Sequence, residues 1–226
     1  MPAATAARLP PAAAAALLAA LVPGAVRAAV PAPTVVPWRP GDPPSEDPAT
    51  ADGALRFVAI DAVGRVERLE PCDALFRLLG DESPPIRAHA AAALATITNV
   101  SFGSGWDDPA VSEPWRRQRI RTWSEWIERH RGQTREGWLA AGFVAAGYQV
   151  PQLRERHAWE LVRAVAGAEY LSFNAERTLE RLTEHHPQLA GVGQKDACHY
   201  WLRWLRARRA TYQLEAPPAR LLQLCP

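Results

Sequence analysis

Apolar residues along most of this chain recur at spacings of three and four, the period that lays them on one face of an α-helix. Leu55, Val58, Ala62, Val66 and Leu69 form the first such stripe, with Asp52 placed to cap its start and Pro71 to stop it. A short helix over 72–79 follows and ends at Gly80. The turn over 81–85 offers Ser83 as N-cap and Pro84 at the first helical position. Ile86, Ala90, Ala93, Leu94 and Ile97 then share one face of a helix ending at Thr98, whose alanines let a neighbouring helix approach closely. Further stripes predict helices over 115–131 (Ile120, Trp123, Ile127), over 135–148 (Leu139, Phe143, Ala146), and from Leu153 through His157, Leu161 and Ala164. Leu171, Ala175, Leu179 and Leu182 mark another, and Trp201, Trp204 and Leu205 mark a last long helix over 196–212. Pro217 and Pro218 end that run, leaving the Leu-Leu-Gln-Leu segment over 221–224 to cover the final apolar face. The chain therefore reads as all-α.

Part of this pattern occurs twice. Residues 75–98 (LFRLLGDESPPIRAHAAAALATIT) and 161–183 (LVRAVAGAEYLSFNAERTLERLT) share one helix, turn, helix plan, with Gly80 and Gly167 ahead of the turn and a shorter turn in the second copy. A Trp-x-x-Trp pair follows each copy: Trp123 and Trp126, then Trp201 and Trp204. An internal repeat of this kind predicts stacked helices in which each unit buries its neighbour's apolar face.

The segment LLGDESPPIRAHAAAALATI resembles a HEAT repeat: a Leu-rich first helix, Asp and Pro in the turn, and Arg87 one residue after the aliphatic that opens the second helix. The second copy departs from that pattern, with Ser172 at the Arg position and no turn proline. The longer layout resembles HEAT-like bacterial proteins in which a unit ends in Thr, passes an Asp/Ser-Phe-Gly loop and enters a Trp-x-x-Trp helix. Thr98, Ser101-Phe102-Gly103, Trp106-Asp107 and Trp123/Trp126 are the matching residues. The resemblance implies an alpha-solenoid of HEAT-like helical hairpins, about seven to eight helices, used for binding and with no assigned reaction.

Composition changes the picture chiefly at the ends. Arg8 leads into an Ala/Leu-rich run too short to span a bilayer, and Val26 and Ala28 stand where a signal peptidase needs small residues. Residues 1–28 thus read as a signal peptide, against the alternative of an Ala/Pro-rich tail, and no later segment is apolar enough to cross a membrane. Residues 29–50 are a Pro-rich disordered leader without helical period. The rest divides into a HEAT-like unit with its Trp-x-x-Trp helix (51–132), a helical linker with the divergent second unit (133–213), and a tail or cap (214–226). That folded length, about 165 residues, suffices to bury roughly 70 % of the unfolded chain's surface.

The net charge is +2, and Lys195 is the sole lysine among the 26 basic residues. Such balance argues against a chain built to coat nucleic acid. The basic runs over 116–121 and 203–209 read as solvated helix faces with stems lying along apolar surface. The three cysteines, Cys72, Cys198 and Cys225, allow at most one intrachain disulfide. Cys198 with Cys225 or with Cys72 are the pairings, and three small core residues are the alternative.

Candidate chemistry is sparse. His185, His186, Asp196, Cys198 and His199 are the local concentration of metal-ligand types, with His185, His186, Cys198 and His199 the candidate ligands, but His185-His186-Pro187 just past a helix end reads first as a complement to the helix dipole. They define the alternative reading, a metal-dependent or catalytic helical protein. No nucleophile elbow, His-Glu-x-x-His helix or phosphate loop is present, so neither an enzyme nor a cofactor is expected. The Trp pairs read as core and, alternatively, as a ligand groove. Trp106, in a Gly/Asp loop, is expected half-exposed, and with Asp107 and Asp108 forms the binding candidate. The sequence reads as an exported, periplasmic or extracellular scaffold whose partner is another protein.

Overall fold

A computed structural model of the chain describes residues 72–189 and 191–224. The signal peptide expected over 1–28, the leader expected over 29–50, the helix expected over 55–69, and Cys225 lie outside the described residues. Those described are all-helical and contain no strand. There are eight α-helices among them: α1 (Cys72–Leu78), α2 (Pro84–Thr98), α3 (Glu113–His130), α4 (Arg135–Ala145), α5 (Ala158–Val165), α6 (Glu169–Thr183), α7 (Gln194–Ala207) and α8 (Ala219–Leu224). The chain divides into two compact units, one holding the residues up to Ala93 with Gly103–Ile120, the other Leu94–Phe102 with Arg121 onward.

In the first unit α1 buries Cys72, Leu75 and Leu78, and α2 buries Ile86, Ala90 and Ala93 as its stripe requires. Ser83 caps α2 only through its backbone. Its carbonyl accepts from the Arg87 amide at 3.1 Å, while Asp81 Oδ1 accepts from the Ser83 amide at 2.9 Å. The expected side-chain cap is not made, and Pro85 removes the amide of the second helical position, one of the two that a cap would satisfy. Arg87, only 2 % exposed, donates from Nη1 to the carbonyls of Asp81 (3.0 Å) and Glu82 (2.8 Å). This guanidinium therefore supplies the turn with donors that the prolines cannot.

The second unit is organised around α5, which packs against α6, α7 and α8. Ala158, Trp159, Leu161, Val162, Ala164 and Val165 are buried in its eight residues, leaving Glu160 and Arg163 to pair at 2.6 Å along the outward stripe. Leu171, Ala175 and Leu179 of α6, Trp201, Leu202 and Leu205 of α7, and Leu221 of α8 complete the same core. The Leu-Leu-Gln-Leu segment does contribute to that core, through Leu221 at 1 % exposure.

Three helix bounds differ from the sequence expectation, each for a local reason. The helix expected to reach Tyr148 ends at Ala145, because Gly147 at φ +85° closes a Schellman motif. Tyr148 N donates to Phe143 O at 2.9 Å, Gly147 N to Val144 O at 3.0 Å, and the Phe143 and Tyr148 rings meet at 6.3 Å. The helix expected from Leu153 begins at Ala158 after a 3-10 turn over Glu155–His157, and Leu153 packs on the core without being helical. The helix expected to Tyr212 ends at Ala207; Tyr212 reaches back instead, its hydroxyl donating to Thr183 O at 3.2 Å.

The two copies finish alike. Thr98 donates its hydroxyl to Leu94 O and Thr183 to Leu179 O, each at 2.7 Å, and the next residue is left-handed in both: Asn99 at φ 58° and Glu184 at φ 52°. Asn99 is fully buried, so it is not open to a glycan despite its Asn-Val-Ser context. Its Nδ2 donates to Leu139 O at 2.8 Å, and its Oδ1 accepts from Asn174 Nδ2 at 3.1 Å. Asn174 also donates to Thr96 O at 2.8 Å, and the Arg135 guanidinium donates to the carbonyls of Ile97 and Thr96 and to Asn174 Oδ1. Asn is the residue type that tolerates left-handed backbone and offers both a donor and an acceptor. Asn99→Ala is therefore expected to lower stability by about 2–4 kcal/mol, the sum of lost buried hydrogen bonds and left-handed strain. Asn99→Gly should recover only about 1 kcal/mol, the strain alone. Urea unfolding of both variants checks this, and a loss below about 0.5 kcal/mol for the alanine would contradict it.

Candidate functional site

Two groups of side chains were legible as candidates, one in each unit. In the first unit Trp106 is 4 % exposed, not the half-exposed ring its Gly/Asp loop suggested. It packs edge-on to Trp115 at 5.3 Å, and the Arg119 guanidinium lies 5.3 Å from the Trp115 ring centre. The loop folds inward because a large ring gains more from burial than the short turn loses. Asp107 and Asp108 are exposed. Asp108 acts as a turn former, its Oδ1 accepting from Ala110 N at 2.8 Å, and its backbone carbonyl accepts a longer bond (3.4 Å) from Arg87 Nη2. Burial first, and then Arg116, hold Arg87 below its ordinary pKa, against the opposing effect of Asp81.

In the second unit the His and Cys residues do not converge. His185 Nε2 lies 2.5 Å from Tyr200 Oη, and the imidazole stacks on Trp204 at 4.3 Å and 9°. His186 is exposed, with Nδ1 3.9 Å from Glu180 Oε2. Cys198 is fully buried in the core and disulfide-bonded, so it offers no thiolate. His199, the next residue along α7, is half-buried. Among the described residues no group of three or more His, Cys, Asp or Glu is placed to hold a metal ion. The physical reason is that His185 is taken up by aromatic stacking, which leaves its ring pointing at Tyr200 rather than at Cys198 or His199. No family model, curated protein or solved structure matches this chain.

The Trp pairs divide unevenly. Trp123 (0 %), Trp126 (4 %) and Trp201 (0 %) are core; Trp204 is half-buried. Even so, Trp204 is engaged within its own chain, with His185 stacked on it at 4.3 Å and the Arg208 guanidinium over the ring at 4.3 Å. It is the stacking partner of its own chain.

Burial first, and then the charges of Arg208 and His186, hold the His185 pKa below its ordinary value. The unfolded chain therefore takes up this proton more readily than the folded one. Stability from neutral His185 is complete above the unfolded value of about 6.5 and declines as pH falls through it toward the folded value. The melting temperature should fall between about pH 7.5 and about pH 5.5, with His157, shifted in the same direction, contributing too. His185→Gln should reduce that fall, and an identical fall in the variant would remove His185 from the account.

Sequence reasoning missed the Asn99–Asn174–Arg135 network, whose members stand up to 75 residues apart along the chain. The available signal was an Asn just past a helix-ending Thr, a position that favours left-handed backbone.

Proposed function

We propose that this chain is an exported alpha-solenoid of HEAT-like hairpins that binds another protein and catalyses no reaction. The observation that carries the reading is the common ending of the two copies, a Thr bonded back to the fourth carbonyl and then a left-handed residue. It supports two versions of one structural unit, and arrays of such units present extended surface to partners. Arg87, bonded to the carbonyls of its own turn, supports the HEAT-like reading of the first copy. The disulfide at Cys198 suits an oxidising compartment outside the cytosol. No helix among the described residues is long and apolar enough to cross a membrane.

The test is capture from the native envelope fraction with the chain carrying a C-terminal tag, followed by reconstitution with the purified captured protein. A stoichiometric complex is expected, and intact mass should show a mature chain beginning at Ala29. Failure to reconstitute a complex with any captured protein would overturn the scaffold reading.

A further inference from the structure

In the second unit Arg131, Arg163, Arg177 and Arg181 each lie on a carboxylate, from Glu128, Glu160, Glu180 and Glu136. Arg203, Arg206 and Arg209 have no carboxylate within ion-pair distance among the described residues, as is also true of Arg121, Arg129, Arg154, Arg156, Arg208 and Arg220; what sets Arg206 and Arg209 apart is their place. The helix dipole accounts for a cation in the last turn of α7. It does not account for a cleft. Arg206 and Arg209 flank a concavity of about 440 Å³ whose remaining lining is Ala216, Pro217 and Leu222. That volume falls within the range of about 300–1,000 Å³ typical of small ligand sites. Leu222 is 39 % exposed, one of three large apolar side chains so exposed among the described residues.

We propose that this cleft is a docking site for an acidic peptide segment of a protein partner, in which carboxylates flank one apolar side chain. The apolar side chain would lie against Pro217 and Leu222, and the carboxylates would take the forked donors of Arg206 and Arg209. The proposal rests on the protein-binding reading above and names its site and partner chemistry.

Other anionic occupants fit less well. A single-stranded nucleic acid needs aromatic rings free to stack on its bases, and Trp204, the ring nearest along α7, already stacks on His185 and carries Arg208. An anionic membrane needs several large apolar side chains to insert, and the cleft presents only Leu222. A peptide needs the combination that is present, two arginines lining one cleft with Pro217 and Leu222.

The full chain is titrated by fluorescence anisotropy with octapeptides carrying Glu or Asp around one Leu, Ile, Phe or Trp, beside the same set with Gln and Asn. Acidic peptides are expected to bind at least tenfold more tightly than their amide counterparts and to weaken as salt rises. The double variant Arg206→Glu/Arg209→Glu should lose at least tenfold. Arg121→Glu/Arg154→Glu, an equal change of charge at two exposed positions, should lose less than twofold, with circular dichroism confirming that both variants are folded. Equal binding of the two peptide sets, or equal loss in the two variants, overturns the proposal. So does tighter binding, through the same arginines, of phosphatidylglycerol vesicles or a thymidine oligonucleotide. If Arg206→Glu/Arg209→Glu still captures the envelope partner at full yield, the cleft is not the docking site and the scaffold reading stands. If the wild-type chain forms no complex, that reading fails whatever the peptides do.

Discussion

Replacing Gly142 by Ala should lower stability by about 3 kcal/mol or more, at the upper end of what overpacking costs. A Cβ at this position would sit 2.2 Å from Asn99 O, 2.7 Å from Asn99 C and 2.6 Å from Asn99 Cβ. Two of those three contacts are with backbone, which has no rotamer to change. Asn99 is itself held by Leu139 O and Asn174, so it cannot withdraw without breaking buried hydrogen bonds. The melting temperature should drop by roughly 6–12 °C. Asn99→Gly does not rescue the variant, because the shortest contact is with a carbonyl that glycine keeps. Gly80→Ala is the matched control. Its nearest contact is Arg77 O at 3.5 Å, an ordinary distance, and it should stay within about 0.5 kcal/mol of the parent. Calorimetry of the two variants decides the matter, and equal melting temperatures would mean that the helix end and α4 are less closely held than the geometry states.

Trp201→Ala should cost about 3–5 kcal/mol, the range for removing a large aromatic from a packed core. The ring is 0 % exposed, belongs to the same core as Leu202 and Leu205, and meets Tyr200, Trp204 and His185 edge-on at 5.8 to 6.0 Å. Trp204→Ala, from a half-buried site, should cost clearly less. The comparison separates core from groove: if the Trp pair served a ligand, Trp201→Ala would leave the melting temperature near that of the parent while changing binding. Chemical denaturation of both variants, with Trp201→Phe as a milder third, gives the ordering Ala at Trp201 worst, then Ala at Trp204.

The helices themselves were legible because each carries its buried residues at a period of three to four. α2 and α6 keep the stripes read from Ile86–Ile97 and Leu171–Leu179. Helix ends were harder. Leu153 and Tyr212 continue an apolar stripe without continuing a helix, since a side chain can reach the core from a turn as well as from a helix. Gly147 was a visible stop signal, and the left-handed turn it makes sends Tyr148 back against Phe143 instead of extending the helix. Trp106 illustrates the opposite error. A polar loop does not ensure an exposed ring when an aromatic partner such as Trp115 lies nine residues on.

Periodicity and the placement of proline and glycine determined by themselves that the described residues are helical, because these are local properties written within a few turns of chain. Which polar groups end up together is not local. The Asn99–Asn174 bond, the carbonyls gathered on Arg87, the withdrawal of His185 into an aromatic stack and the gathering of Arg206 and Arg209 about Leu222 were decided only by the tertiary structure. Each depends on the distance and direction between side chains from separate elements, and a one-dimensional pattern carries neither.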